Sequence, residues 1–161
     1  MKKNRPRVLP TVYLVLVKGN KILLSRRYNT GFQDGDYSFP AGHLKDDEET
    51  LSQAVVREAE EEVGIEINST DLELVHIMHR RQKTPTNERR INLFFTVGKW
   101  KGEPKIMELD KCDDLQWFEP DNIPDNTIPY IKQAINCIKE NAVYSEYGFS
   151  TREELKDKLR I

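Results

Sequence analysis

The sequence predicts an α+β domain in which helices pack on a central sheet that is mixed or antiparallel. Three observations lead there. Short runs of β-branched and aliphatic residues recur between clusters of Gly, Asn, Asp and Pro. One segment in the first half has a helical apolar repeat with a start signal and a stop signal, and a second in the last third places isoleucines on one helical face. At 161 residues the chain fits a single domain, with a core expected over about 8–143 and a helical C-terminal tail over about 144–161. It has no internal repeat and no low-complexity tract.

The elements follow in order. From Val8 to Val17 the chain is mostly aliphatic or β-branched, and Gly19-Asn20 separates it from Lys21-Ile22-Leu23-Leu24-Ser25-Arg26, which reads as a hairpin with a short turn. Tyr28 to Asp36 is rich in Asn, Gly and Asp and reads as a loop at the rim of a site; Tyr37-Ser38-Phe39 is a short strand ending at Pro40. The first helix starts at Thr50, because Thr50-Leu51-Ser52-Gln53 has the pattern of a capping box. Leu51, Val55, Ala59 and Val63 then recur every four residues, and Gly64 supplies the stop. Strands return at Leu72 to Met78, Ile91 to Val97 and Leu115 to Phe118, with a loop from Lys83 to Glu88. A second helix spans about Ile128 to Glu140, with Ile131, Ile135 and Ile138 on one face and Pro129 in the first turn, where proline is tolerated. A third is expected after Ser150, which has Glu153 three residues on.

Bulk chemistry excludes several classes of function. Twenty-five Lys and Arg against 27 Asp and Glu leave a formal charge of -2, so no global field draws the chain to nucleic acid or to a membrane, and no stable nucleic-acid partner is expected. Cys112 and Cys137 have neither metal-ligand spacing nor a disulfide framework, which fits a reducing compartment. The basic start is followed by an apolar run broken at Pro10, Thr11 and Lys18, so neither a signal peptide nor a membrane span is expected and the location expected is cytoplasmic.

The chemistry concentrates on the first helix. Glu58, Glu61 and Glu62 stand at i, i+3 and i+4, which brings three carboxylates to one helical face about 5 to 6 Å apart. Each like-charged pair costs an isolated helix about 0.2 to 0.5 kcal/mol, and no lysine follows four residues on to offset it. A solvated acidic face is one way to accommodate them. A hard divalent cation is the other, and Mg²⁺ in particular is held between a few carboxylates and substrate phosphates. The polar loop Gly42-His43-Leu44-Lys45-Asp46-Asp47-Glu48-Glu49 that leads into the helix, with Arg57 preceding the cluster, favours the cation.

Gly42, Glu49, Arg57-Glu58-Ala59, Glu61-Glu62 and Gly64-Ile65 resemble the Nudix box: Gly, five residues, Glu, seven residues, then Arg-Glu-aliphatic-any-Glu-Glu-any-Gly-aliphatic. From Glu49 onward every spacing agrees, whereas Gly42 and Glu49 enclose six residues, a one-residue insertion in the loop. Helical phase fixes Glu49 against Arg57, so the helix-side register is the one to follow. Phe39-Pro40-Ala41-Gly42-His43, and Leu115-Gln116-Trp117-Phe118 followed by Ile123-Pro124, also look like Nudix hydrolases.

The resemblance implies an α/β/α sandwich around a mixed β-sheet, and Mg²⁺, with Mn²⁺ as a substitute, bound by Glu58, Glu61 and Glu62 and by the backbone carbonyl of Gly42. It implies that Arg57 pairs with Glu49 or with a metal-binding carboxylate, and that Glu58 or Glu62 serves as general base, with Glu88 and Glu108 as loop candidates outside that set. The reaction implied is hydrolysis of a phosphoanhydride in a small nucleotide by a monomer or homodimer. A nucleoside triphosphate leads as substrate; nucleotide sugars, RNA ends and a non-catalytic nucleotide-binding module are the alternatives. Arg26, Arg27, Arg80 and Arg81 are candidates for phosphate contacts, and Tyr28, Phe32 and Trp117 for stacking on a base. Asn126 reads a base or caps a helix, while His43 and His79 are rim or loop residues without metal spacing.

Overall fold

The computed structural model describes residues 5–82 and 87–150. Nine strands and two α-helices follow in the order β1 (Leu9–Val15), β2 (Val17–Lys18), β3 (Lys21–Arg27), β4 (Tyr37–Ser38), β5 (Ala41–His43), α1 (Leu51–Val63), β6 (Leu72–Arg81), β7 (Arg89–Val97), β8 (Cys112–Phe118), α2 (Pro129–Lys139) and β9 (Tyr144–Tyr147) among the described residues. A mixed five-stranded sheet has the order β5-β1-β7-β6-β9, with β1 parallel to β7 and β9 parallel to β6. A smaller antiparallel sheet joins β2, β3, β4 and β8.

Strand alternation divides the core between two faces. Val12 and Leu14 of β1, with Leu93 and Phe95 of β7, pack on one face with Ala54, Val55, Ala59 and Val63 of α1. Tyr13 and Val15, with Phe94 and Met78, pack on the other with Tyr130, Ile131, Ala134 and Ile135 of α2. One helix layer on each side of the sheet makes the α/β/α sandwich of the expected fold class. No helix of the described residues is long and apolar enough to cross a membrane.

Local signals set the helix ends. Thr50 accepts from Gln53 N and the Gln53 side chain accepts from Thr50 N, while Gly64 takes a left-handed φ of 67° and its N–H bonds Ala59 O and Glu60 O.

Three features differ from the sequence reading. The aliphatic run from Val8 to Val17 is not one arm of a hairpin: Leu9–Val15 belongs to the large sheet, and only Val17–Lys18 turns through Gly19-Asn20 to pair with β3. Gly42 and His43, read as the start of a loop, belong with Ala41 to a strand on the sheet edge. The tail expected to be helical from about 144 instead begins as β9, because Tyr144 to Tyr147 can pair with the free edge of β6, where Ile77 faces Tyr144 and Arg80 faces Tyr147. His76 is fully buried and pins that segment through Ala142 O and Ser145 Oγ at 2.7 and 2.9 Å. The expected helix after Ser150, and most of the loop from Lys83 to Glu88, lie outside the described residues.

Candidate active site

The edge strand β5 and the helix α1 meet side by side, and the meeting builds the site. Ala41 donates its N–H to Glu62 Oε2 at 2.9 Å, and His43 O accepts from Arg57 Nη2 at 2.8 Å. Backbone groups alternate in direction along a strand. Since Ala41 and His43 point theirs toward α1, Gly42 between them points its N–H and C=O toward its β1 partner Val12. The carbonyl left on the carboxylate side is therefore that of Ala41, which corrects the expectation for the Gly42 carbonyl. Gly42 serves differently: a Cβ there would fall inside the Glu58 carboxylate, so only glycine lets that side chain lie over the strand.

Arg57 organises the acidic face. Its Nε and Nη2 clamp Glu49 at 2.7 and 3.0 Å, and its Nη1 reaches Glu58 Oε1 at 2.6 Å and Glu61 Oε2 at 3.1 Å. The bidentate geometry is one that arginine can make and lysine cannot. Glu49, rather than Glu48, holds the clamp, and the extra residue is absorbed in the loop, where Asp46 accepts from the N–H groups of Glu48 and Glu49. Hydrogen bonding to Arg57, and then to Lys45 N, holds the Glu49 carboxyl at about 2, while its carboxylate partners, Glu49 foremost, raise the Arg57 guanidinium.

Two carboxylates of the cluster share Arg57 and the third does not. The Glu58 side chain is 14% exposed and that of Glu61 is 54% exposed. Burial raises Glu58 despite its bond to Arg57. Glu62 makes no ion pair within 4.0 Å among the described residues, and burial, reinforced by the Glu58 charge, pushes it up to about 8. The face is thus short of positive charge where it is most enclosed. Glu108, from the loop between β7 and β8, lines the same cleft of about 500 Å³ with Glu58, Glu61 and Glu62, and pairs with Lys111 at 2.7 Å.

The donor types suit a hard cation, with carboxylate oxygens at three helix positions and a backbone carbonyl at the strand edge, while among the described residues no three acidic side chains are already gathered around one point.

Other expected residues divide by place. Arg27, Phe32, His43, Arg80 and Glu88 line a second cleft of about 350 Å³, and Arg26 and Arg27 line a third of about 230 Å³ together with Glu62, Glu108 and Lys111. Ala41 and His43 border all three. Trp117 stacks on Trp100 with centroids 6.3 Å apart and packs on the α1-side core, outside these clefts. His79 lies tilted against Phe149, Arg81 bonds Asn87, and Tyr28 is exposed. Asn126 donates to Gly35 O at 2.7 Å and staples two loops, while α2 has Ile128 as its N-cap and no side-chain cap hydrogen bond. Arg90, Lys111 and Tyr130 escaped the sequence reading, because each is an ordinary residue in its own segment and reaches a cleft only through strand pairing or helix docking.

Comparisons with known proteins bear on the family and the fold. The family model described as NUDIX domain matches residues 7–136. A NAD-capped RNA hydrolase, NudC, from Pseudomonas aeruginosa is 33% identical over 119 residues, which is 74% of this chain and 39% of that protein, so the chain spans about two-fifths of that relative's length. An 8-oxo-dGTP diphosphatase from Proteus vulgaris is 36% identical over 87 residues, covering 53% of this chain and 71% of that protein. Among solved structures, a MutT NUDIX hydrolase from Burkholderia pseudomallei superposes with a TM-score of 0.72 at 25% identity, over 81% of this chain and 97% of its own.

Proposed function

This chain belongs to the NUDIX family, and from that premise we propose that it is a divalent-metal-dependent hydrolase that cuts a phosphoanhydride bond in a nucleotide. The observation that carries the proposal is Glu62, enclosed and uncompensated beside Glu58 and Glu61 on the one helix face that also meets a glycine-bared strand edge. A binding module that holds nucleotide without cleaving it has no need for three carboxylates kept in such register.

In this reading Glu58, Glu61 and Glu62 hold the metal, with the Ala41 carbonyl beside them, and Mg²⁺ is the ion assigned, with Mn²⁺ able to replace it. Bound there, it supplies charge neutralisation on the diphosphate and a lowered pKa for an attacking water. Arg57 keeps Glu58 and Glu61 in place and leaves Glu62 without an ion-pair partner among the described residues. A carboxylate of the same face, Glu58 or Glu62, takes the proton of the water. Glu108, a loop candidate in the sequence, lines the same cleft as a third acceptor.

The leading substrate class is a nucleoside triphosphate cut to a monophosphate and pyrophosphate; the Proteus relative is named an 8-oxo-dGTP diphosphatase, and 8-oxo-dGTP belongs to that class. Identity across 74% of the chain to a NAD-capped RNA hydrolase favours, as a second reading, a dinucleotide or an RNA end. The proposal takes the chain as one domain that acts in the cytoplasm as a monomer or homodimer on a small nucleotide. A screen of nucleoside triphosphates, dinucleotides, nucleotide sugars and capped RNA with Mg²⁺, scored by product mass, tests it. Turnover of any phosphoanhydride supports the hydrolase, and binding without turnover of every member overturns it.

A further inference from the structure

The cleft that meets the carboxylate face across β5 has the opposite charge. Arg27, Arg80 and Arg90 line it, and the one carboxylate among its lining residues, Glu88, is already committed to Arg90 at 2.5 Å. Arg27 gives its Nε and Nη2 to Phe32 O and Thr30 Oγ1 and makes no ion pair among the described residues. Arg80 is the more telling group. It is 5% exposed, lies over the Tyr130 ring at 4.3 Å, and gives Nη1 to Gln82 Oε1 at 3.1 Å. Its buried Nε meets no acceptor among the described residues. A guanidinium stays ionised, and an enclosed one with an idle N–H is poorly accommodated until an anion arrives. Neither Arg27 nor Arg80 has an ion-pair partner among the described residues, and two such charges match a phosphomonoester, with close to two negative charges at neutral pH, better than a carboxylate with one. None of Glu58, Glu61 and Glu62 lines this cleft; it meets the carboxylate cleft at Ala41, Gly42 and His43, and Arg27 also borders the cleft that holds Glu62.

Resting on the hydrolase reading above, we propose that this cleft takes a second phosphate group of the substrate, outside the diphosphate that is cut, with Arg80 as its main donor and Arg27 as the rim cation. The substrate class is then a nucleotide diphosphate carrying a further phosphomonoester.

Two arms test this. Inorganic phosphate is titrated calorimetrically into the metal-free chain, and hydrolysis with Mg²⁺ is compared within pairs that differ by one phosphate: ADP-ribose against its 2′-phosphate, and NADH against NADPH. Inorganic phosphate is expected to bind, and Arg80→Gln to weaken it by about tenfold or more. Within at least one pair the phosphorylated member is expected to gain about tenfold in kcat/KM, through KM. That ratio should collapse toward unity in Arg80→Gln and survive in part in Arg80→Lys. Where Arg80→Gln does not fold, as judged by circular dichroism, Arg27→Gln carries the same comparison. Equal treatment of both members of each pair by the unmodified chain overturns the proposal, and phosphate binding without such a preference does so too, because it assigns the cleft to a free anion. If no pair is cut, the hydrolase reading is decided by the wider substrate screen alone, and the same pairs are compared as ligands by calorimetry with Ca²⁺; equal affinity within each pair then overturns the proposal.

Discussion

Arg57 shows how one side chain makes an acidic face tolerable without neutralising it. It touches Glu49, Glu58 and Glu61 and leaves Glu62 to an outside charge, so the two most consequential substitutions lie on Glu61 and Glu62. Glu61→Gln and Glu62→Gln should each lower turnover by about 10²-fold or more while the melting curve stays near that of the parent; near-normal activity in both would defeat the metal assignment. Glu49 gives a pH signature. Its carboxyl sits at about 2 in the folded chain against an ordinary 4.5, so the folded chain holds fewer protons in that window, and the support from its pair with Arg57 is complete above pH 4.5 and lost as pH falls through about 2. Melting temperatures recorded across that range should therefore fall less steeply in Glu49→Gln than in the parent, and parallel curves would contradict the clamp. At this scale the sequence was informative where helical phase governs: the i, i+3, i+4 spacing and the Glu49 to Arg57 register are both realised. Gly42 was misread because strand phase, which decides whether a carbonyl faces the helix or the ladder, depends on which residues of β5 pair with β1.

The helix α1 was legible to the residue because its signals are local. Thr50, Gln53 and Gly64 act within one turn of themselves. Thr50→Ala removes the side chain that accepts from Gln53 N and should cost about 1 kcal/mol. For a chain of this size that is a fall in melting temperature of about 2–4 °C, measurable by differential scanning calorimetry, and an unchanged transition would show that tertiary packing alone holds the helix start. The strands β5 and β9 were not legible, for the reason that α1 was. Ala41-Gly42-His43 lacks the β-branched pattern, and its strand exists only because Thr11 to Tyr13 offer an edge. Tyr144 to Tyr147 has partners in Ile77 to Arg80, a pairing no local window contains.

Across the whole molecule, two clefts of unlike charge share the border Ala41 to His43, one lined by glutamates of α1 and the other by arginines of β3, β6 and β7. The layered architecture followed from the alternation of apolar residues, but this division of charge did not, because Arg27, Arg80 and Arg90 come together only through the pairing of Arg80 with Arg90 and the packing of the second sheet beside the first. The chain crosses between the sheets at several points, one of them Leu16, which has no exposure and whose carbonyl accepts from Leu23 N at 3.1 Å. Neither sheet can then open without pulling on the other, and the two should behave as a single cooperative unit. In native-state hydrogen exchange, amides of Leu14 and Leu24 should gain deuterium at matching rates as denaturant is raised, whereas separate opening events for them would mean that the sheets come apart independently.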